Sequence, residues 1–239
     1  MRGMRRRARH DRRKPTLADL EAELRGDGPR PSPEVLRRTA IHEAGHAVVT
    51  ALERPGALVS ATVLAVGDNA GRVLWQDPDG GQRAFTRAAL ATLLREVLAG
   101  RAAEEELLGE ASAGSGGGAD SDLANATRLA TAAVTALGLD EGDGALVWRG
   151  LPDVAAVPAL LAARPEVARR VGEMLDAAYA EARAVVRRHG LAVCRLADLL
   201  VAHETVAGAD IESLVSACHP GVGAAVRPGA GRRPRGRRT

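Results

Sequence analysis

His42-Glu43-Ala44-Gly45-His46 places two imidazoles four positions apart with a carboxylate beside the first. On a helix, four residues advance about 400°, so both rings face one way, one turn apart. Two such nitrogens can hold a single zinc ion at about 2.0–2.1 Å. The neutral rings leave the ion acidic, and a water on its open position would have its pKa lowered to about 7. Glu43 is placed to take that water's proton and return it to a leaving amine, which is peptide hydrolysis. The plain alternative is a surface histidine pair on an amphipathic helix. Two features weigh against it. Gly45 costs about 1 kcal/mol relative to alanine in a helix interior, so something requires a small residue there. Ile41, Ala44, Ala47 and Val48 also surround the pair with apolar side chains, as suits a partly buried ion.

A catalytic zinc takes three protein ligands and keeps a fourth position for water. The third must be acidic or a histidine and must come from elsewhere in the chain. Glu104, Glu105 and Glu106 form one acidic cluster. Asp120 and Asp122 flank another helix start, behind a glycine run at 114–118 that lets the chain fold back. His189 and His203 read as helix-end or surface residues. Spacing alone leaves the choice between Glu104 and Asp122 open.

The elements that must position these groups are mainly helical. Ser32-Pro33-Glu34 carries a cap, a first-turn proline and an acid at the positive end of the dipole, and Pro55-Gly56 stops the helix they open. Ala57–Ala65 and Gly71–Gln76 are β-like runs around Gly67-Asp68-Asn69, which predicts a hairpin or small sheet beside that helix. Helices follow near 84–108, 121–137, 165–188, 191–203 and 209–217, with glycines at 138, 190 and 208 as punctuation. A short helical patch around Leu17–Leu24 precedes them. With only Phe85, Tyr179, Trp75 and Trp148 as aromatics, the core must be built from Ala, Leu and Val. The expected architecture is a mainly α, single domain over 32–218 with a small β-hairpin or sheet, between a basic tail at 1–31 and another at 219–239.

Beyond the HEAGHA at 42–47, the chain carries LAGRAAEEELLGE at 98–110, GADSDLANATRLATAAVTALGL at 118–139, an Asp140–Trp148 run and HETVAGADIESL at 203–214. In this order they resemble the peptidase domain of FtsH-type ATP-dependent zinc metalloproteases, over about residues 34–218. The resemblance implies a zinc metalloendopeptidase acting on unfolded or flexible polypeptides. It implies His42, His46 and Asp122 as zinc ligands and Glu43 as general base. Glu104 then sits beside the metal and orients a ligand. The strand containing Gly71, Val73 and Trp75 corresponds to the family's edge strand, to which an extended substrate could add by main-chain hydrogen bonds. The family's threonine-glycine-alanine-serine approach to the aspartate is here Gly117-Gly118-Ala119-Asp120, which adds a charge two residues before Asp122.

The family also carries an ATPase module and membrane helices and forms hexamers. This sequence holds no G-x-x-x-x-G-K-[ST] phosphate loop and no apolar run of membrane-spanning length, so the expectation is a cytoplasmic peptidase without its own ATPase. Its expected partners are polypeptides, a separate AAA unfoldase and further copies of itself. Residues 1–14 carry eight basic side chains against Asp11, and 227–239 carry six arginines. With a net charge of +3 overall, the body between is acidic. The ends read as solvated tails, with nucleic acid or an anionic membrane as the alternative contact. Cys194 and Cys218 fit no metal or redox spacing and read as reduced core or boundary residues. The competing functional readings are a non-catalytic zinc- and peptide-binding module serving a separate ATPase, and an interaction protein with a structural zinc. Intact Glu43 argues against the first, and the absence of a fourth ligand near the helix argues against the second.

Overall fold

The computed structural model describes residues 31–64, 70–76, 84–141, 146–151 and 153–218. The basic ends, the Leu17–Leu24 patch and the turns at 67–69 and 77–81 lie outside them. The described residues form six α-helices and a three-stranded antiparallel sheet.

Helix α1 (Pro33–Glu53) begins as its residues dictate: the Ser32 hydroxyl accepts the Val35 N–H at 3.3 Å, and Pro33 opens the first turn. It ends at Arg54, ahead of Pro55-Gly56. Strand β1 (Leu58–Thr62) then pairs antiparallel with β2 (Arg72–Trp75), the expected hairpin pairing, with a register irregularity between Leu58 and Ser60. A third strand, β3 (Thr205–Ala207), lies on the other side of β1, so the sheet order is β2-β1-β3. Three residues are too few to show alternation in a sequence, and β3 was not expected. It is fastened where the Glu204 carbonyl accepts from Val63 N–H and the Thr62 hydroxyl, both at 2.9 Å.

Helix α2 (Arg87–Leu108) is capped by Thr86 and closed by Gly109 at φ 85°. Helix α3 (Asp122–Ala132) is capped by Ser121, then widens into a π-turn over Ala133–Leu137 that ends at Gly138. The short α4 (Val157–Ala163) was not anticipated. The two helices expected at 165–188 and 191–203 run end to end as α5 (Pro165–His203), with a kink between them where the backbone is non-helical at His189. The buried stripe continues across the kink through Val186, Ala192, Val193 and Leu196. What Gly190 permits is close passage of α2: a Cβ there would stand 3.3 Å from Leu107 Cδ2. His189 and His203, both expected at a helix end or the surface, lie at the kink and at the C-terminal end of α5; His189 is buried at 7% exposure and His203 is exposed. Helix α6 (Gly208–Ala217) completes the fold.

The main core lies where α1, α2 and α5 meet. Ala40, Ala44 and Ala47 of α1 face Ala99, Ala102 and Ala103 of α2 and Ala182, Ala192 and Ala197 of α5, all fully buried. Alanine leaves little between the backbones, so the helices pack at close range. Cys194 and Cys218 are half-buried and free, packed against this cluster. No helix among the described residues is long and apolar enough to cross a membrane.

Gly45 is the point of closest approach. A Cβ there would meet Ala103 Cβ and the Ala99 carbonyl oxygen at 2.6 Å each. The small residue is required by the helix crossing. Gly45→Ala should therefore destabilise the protein by about 1–3 kcal/mol in urea unfolding, despite the gain of about 1 kcal/mol in helix propensity. A neutral or stabilising result would contradict this packing.

Candidate metal centre

The α1–α2 crossing decides where the two imidazoles point. His42 and His46 lie on the α1 face that α2 covers, with ring centroids 4.8 Å apart and nearly perpendicular planes. Each ring is pinned through Nδ1. His42 Nδ1 donates to Glu104 Oε1 at 2.8 Å, and His46 Nδ1 donates to the Glu96 carbonyl at 2.7 Å, both partners belonging to α2. An Nδ1–H held in this way leaves Nε2 as the free lone pair, the arrangement that suits a metal ligand. The two Nε2 atoms converge at 3.1 Å.

The third donor arrives on α3. Asp122 is its first residue, and its Oδ2 lies 3.0 Å from His42 Nε2 and 3.3 Å from His46 Nε2. Among the described residues, these are the side chains grouped closely enough to hold a metal ion together. A tetrahedral ion with ligands at about 2.0–2.1 Å requires its donors about 3.3–3.4 Å from one another. The observed triangle of 3.0, 3.1 and 3.3 Å is close to that face. Two imidazole nitrogens and a carboxylate oxygen are also a donor set suited to zinc or a similar divalent ion.

The other acids separate by environment. Glu104 is 1% exposed and accepts from His42, from Ser112 N–H at 2.8 Å and from Arg38 Nη1 at 3.0 Å. Burial alone would raise its pKa, but these donors outweigh it and bring the carboxyl down to about 2. Glu105 and Glu106 turn away, to Arg101 on α2 and to Arg183 and Arg187 on α5. Asp120 lines the cleft without joining the three donors. Glu43 is buried at 7% exposure; burial pushes its carboxyl up, against the lowering effect of His46 and His42.

In the metal-free chain the donor triangle is a proton trap. Burial lowers the pKa of His42, but hydrogen bonds to Asp122 and Glu104 and the field of Glu43 prevail and raise it to about 10. His46 is raised as well, since Asp122 outweighs burial. Burial pushes Asp122 up, but the rings of His46 and His42 overcome it and hold its carboxyl well below the usual range.

The centre opens into a cleft of about 1160 Å³, walled on one side by β2. Gly71, just ahead of β2, touches Glu43: a Cβ there would lie 2.7 Å from Glu43 Oε1. Val73 is partly buried against the main core, and Trp75, 53% exposed, lies under the Arg54 guanidinium at 4.5 Å. Arg54 in turn clamps Glu96 with two hydrogen bonds, of 2.7 and 2.6 Å. Arg54, Glu96, Arg38 and Ser112 were not singled out from sequence. Glu96 acts through its main chain, which no residue type announces, and the others are read only once α1 and α2 are side by side.

The model of peptidase family M41 matches residues 31–214. The chain belongs to peptidase family M41. It is 33% identical over 192 residues to "ATP-dependent zinc metalloprotease FtsH 2" of Symbiobacterium thermophilum, an alignment covering 77% of this chain and 31% of the relative. It is 35% identical to "ATP-dependent zinc metalloprotease FtsH" of Acidothermus cellulolyticus, over 77% of this chain and 28% of the relative. To FtsH 1 of S. thermophilum it is 38% identical, over 74% and 28%. The chain thus spans less than a third of the length of these curated relatives.

Two outcomes are expected of this M41 centre. Asp122→Ala should weaken binding of a divalent cation more than Glu104→Ala, measured by competition with a chelating dye. Glu104→Ala should instead chiefly lower stability, by about 1–3 kcal/mol, because it strands the donors on His42 and Ser112. Cation uptake near pH 7 must also expel the proton that the His42 pKa of about 10 retains. Calorimetric titrations in buffers of different ionisation enthalpy should show proton release, and affinity should fall as pH is lowered. Uptake independent of buffer would contradict the hydrogen-bonded triangle.

Proposed function

We propose that this chain is a zinc metalloendopeptidase that hydrolyses peptide bonds of unfolded or flexible polypeptides. The observation that carries the proposal is the convergence of His42 Nε2, His46 Nε2 and Asp122 Oδ2 within 3.0–3.3 Å, with Glu43 buried beside them at the mouth of a cleft. Membership of a peptidase family and the zinc named in the relatives' descriptions support the same chemistry.

His42, His46 and Asp122 would hold the ion. When bound, zinc supplies a Lewis acid that polarises a carbonyl and makes a water nucleophilic at neutral pH. Glu104 and the Glu96 carbonyl keep the two rings in the tautomer that presents Nε2. Glu43 serves as the base: it accepts the water's proton and passes it to the departing amine nitrogen, which leaves as the carbon–nitrogen bond breaks. Burial raises the Glu43 pKa, which makes its carboxylate a better proton acceptor than a solvated one.

The substrate would lie extended along β2, the strand at the open edge of the β2-β1-β3 order. Pairing through the main chain explains tolerance of many sequences. Gly71 brings that rail against Glu43, so the paired segment passes the base. The relatives are described as ATP-dependent, and this sequence holds no phosphate-loop motif. ATP-driven unfolding, where the substrate needs it, would come from an AAA module, with a hexamer as the assembly to test.

Purified protein should carry about one zinc per chain and cleave casein. Glu43→Gln should retain the metal and lose cleavage by a factor of about 100 or more, in line with removal of a general base. Zinc-loaded wild-type protein that leaves unfolded substrates intact would overturn the proposal, as would unimpaired cleavage by Glu43→Gln.

A further inference from the structure

One residue of the centre donates nothing to it. Gly100 lies in the middle of α2, one turn after Glu96 and one turn before Glu104, the two residues that pin the imidazoles. A Cβ built on Gly100 would stand 2.6 Å from His42 Nε2 and closer still to His46 Nε2. These are the donor atoms themselves. Non-bonded carbon and nitrogen need about 3.5 Å, so no side chain fits here while the rings hold their positions.

The rings cannot simply step aside. Moving His42 breaks its 2.8 Å bond to Glu104, and moving His46 breaks its 2.7 Å bond to the Glu96 carbonyl. Their other sides are occupied by the rest of α1 and by Asp122. Helix propensity, moreover, runs against glycine here by about 1 kcal/mol. Gly109 ends α2 at positive φ and has a conformational reason for its type, but Gly100 is interior helix and has none.

We propose that Gly100 is a positioning residue of the metal centre: its missing side chain is the space in which the two Nε2 atoms meet a divalent ion. On this view α2 acts on the centre in three ways within nine residues. The Glu96 carbonyl and the Glu104 carboxylate orient the rings, and Gly100 between them leaves their donor atoms clear. The inference rests on the zinc reading of His42, His46 and Asp122, and adds a determinant of cation affinity that ligates nothing.

The test is Zn2+ affinity of the full chain, measured by competition with a chromogenic chelator, together with thermal unfolding of the metal-free form. Gly100→Ala should weaken Zn2+ binding by about 100-fold, at the upper end of what outer positions around a metal contribute. Gly172→Ala, at a helical glycine of α5 with nothing within 4 Å of its Cβ, should leave affinity unchanged. If Gly100→Ala does not fold, the same change is made with His42→Ala and His46→Ala present. With both rings gone the methyl has room, and Gly100→Ala should then raise the Tm relative to the double variant. Wild-type affinity in Gly100→Ala overturns the inference, as does a triple variant less stable than the double. A wild-type chain that binds no Zn2+ would instead overturn the metal reading beneath it.

Discussion

The close crossing of α1 and α2 is the constraint on which the rest of the structure depends. Gly45 brings the backbone of one helix against Ala99 and Ala103 of the other, at a range no other residue type tolerates. That proximity lets a main-chain carbonyl at Glu96 and a carboxylate at Glu104 reach the far nitrogens of His46 and His42. A looser crossing would leave the rings free to rotate, and two nitrogens on one helix would not be a preorganised pair. The alanine-rich core of α1, α2 and α5 supports the crossing by presenting small, stiff surfaces on every side.

Charge is arranged with equal economy. Three carboxylates approach two imidazoles, yet each has a distinct environment. Glu104 is saturated by donors and fixed as an anion. Asp122 is stabilised by the rings it faces, whereas burial pushes the Glu43 carboxyl up against the lowering effect of the same rings. Environments that drive like groups apart in acidity are what allow neighbouring acids to take different roles. Arg54 extends the same network outward: it joins Glu96, whose carbonyl pins His46, to the face of Trp75 on the cleft wall.

Much of this was legible from residues alone, for reasons specific to each. The α1 start was readable because Ser32-Pro33-Glu34 is a local signal, and HExxH because both rings come from a single helix. The small sheet was half legible: β1 and β2 carry β-branched runs, but β3 is three residues defined by its partner rather than by its own pattern. The break expected around Gly190 is present as the kink at His189, and close packing against α2 gives that glycine a second reason. The burial of His189 at that kink has no signature in spacing. Asp122 could not be told from Glu104 by geometry of sequence. Resemblance favoured it, and the folded chain brings it to both Nε2 atoms while Glu104 takes the far side of one ring. The roles of Glu96 and Gly100 are carried by a carbonyl and by empty space, which composition does not record.

The donor set is divided between two elements. His42 and His46 ride on α1, while Asp122 opens α3, 80 positions after His42 and beyond the glycine stretch at 114–118. An ion shared among them is therefore a clasp between separate parts of the chain. Mass action converts its occupancy into folding free energy: a free concentration about 100 times Kd adds about 2.7 kcal/mol to the native state. With an ion held there, heat resistance would become a gauge of cation supply, and starvation for the ion would bear first on the seat of α3, which carries one of the donors.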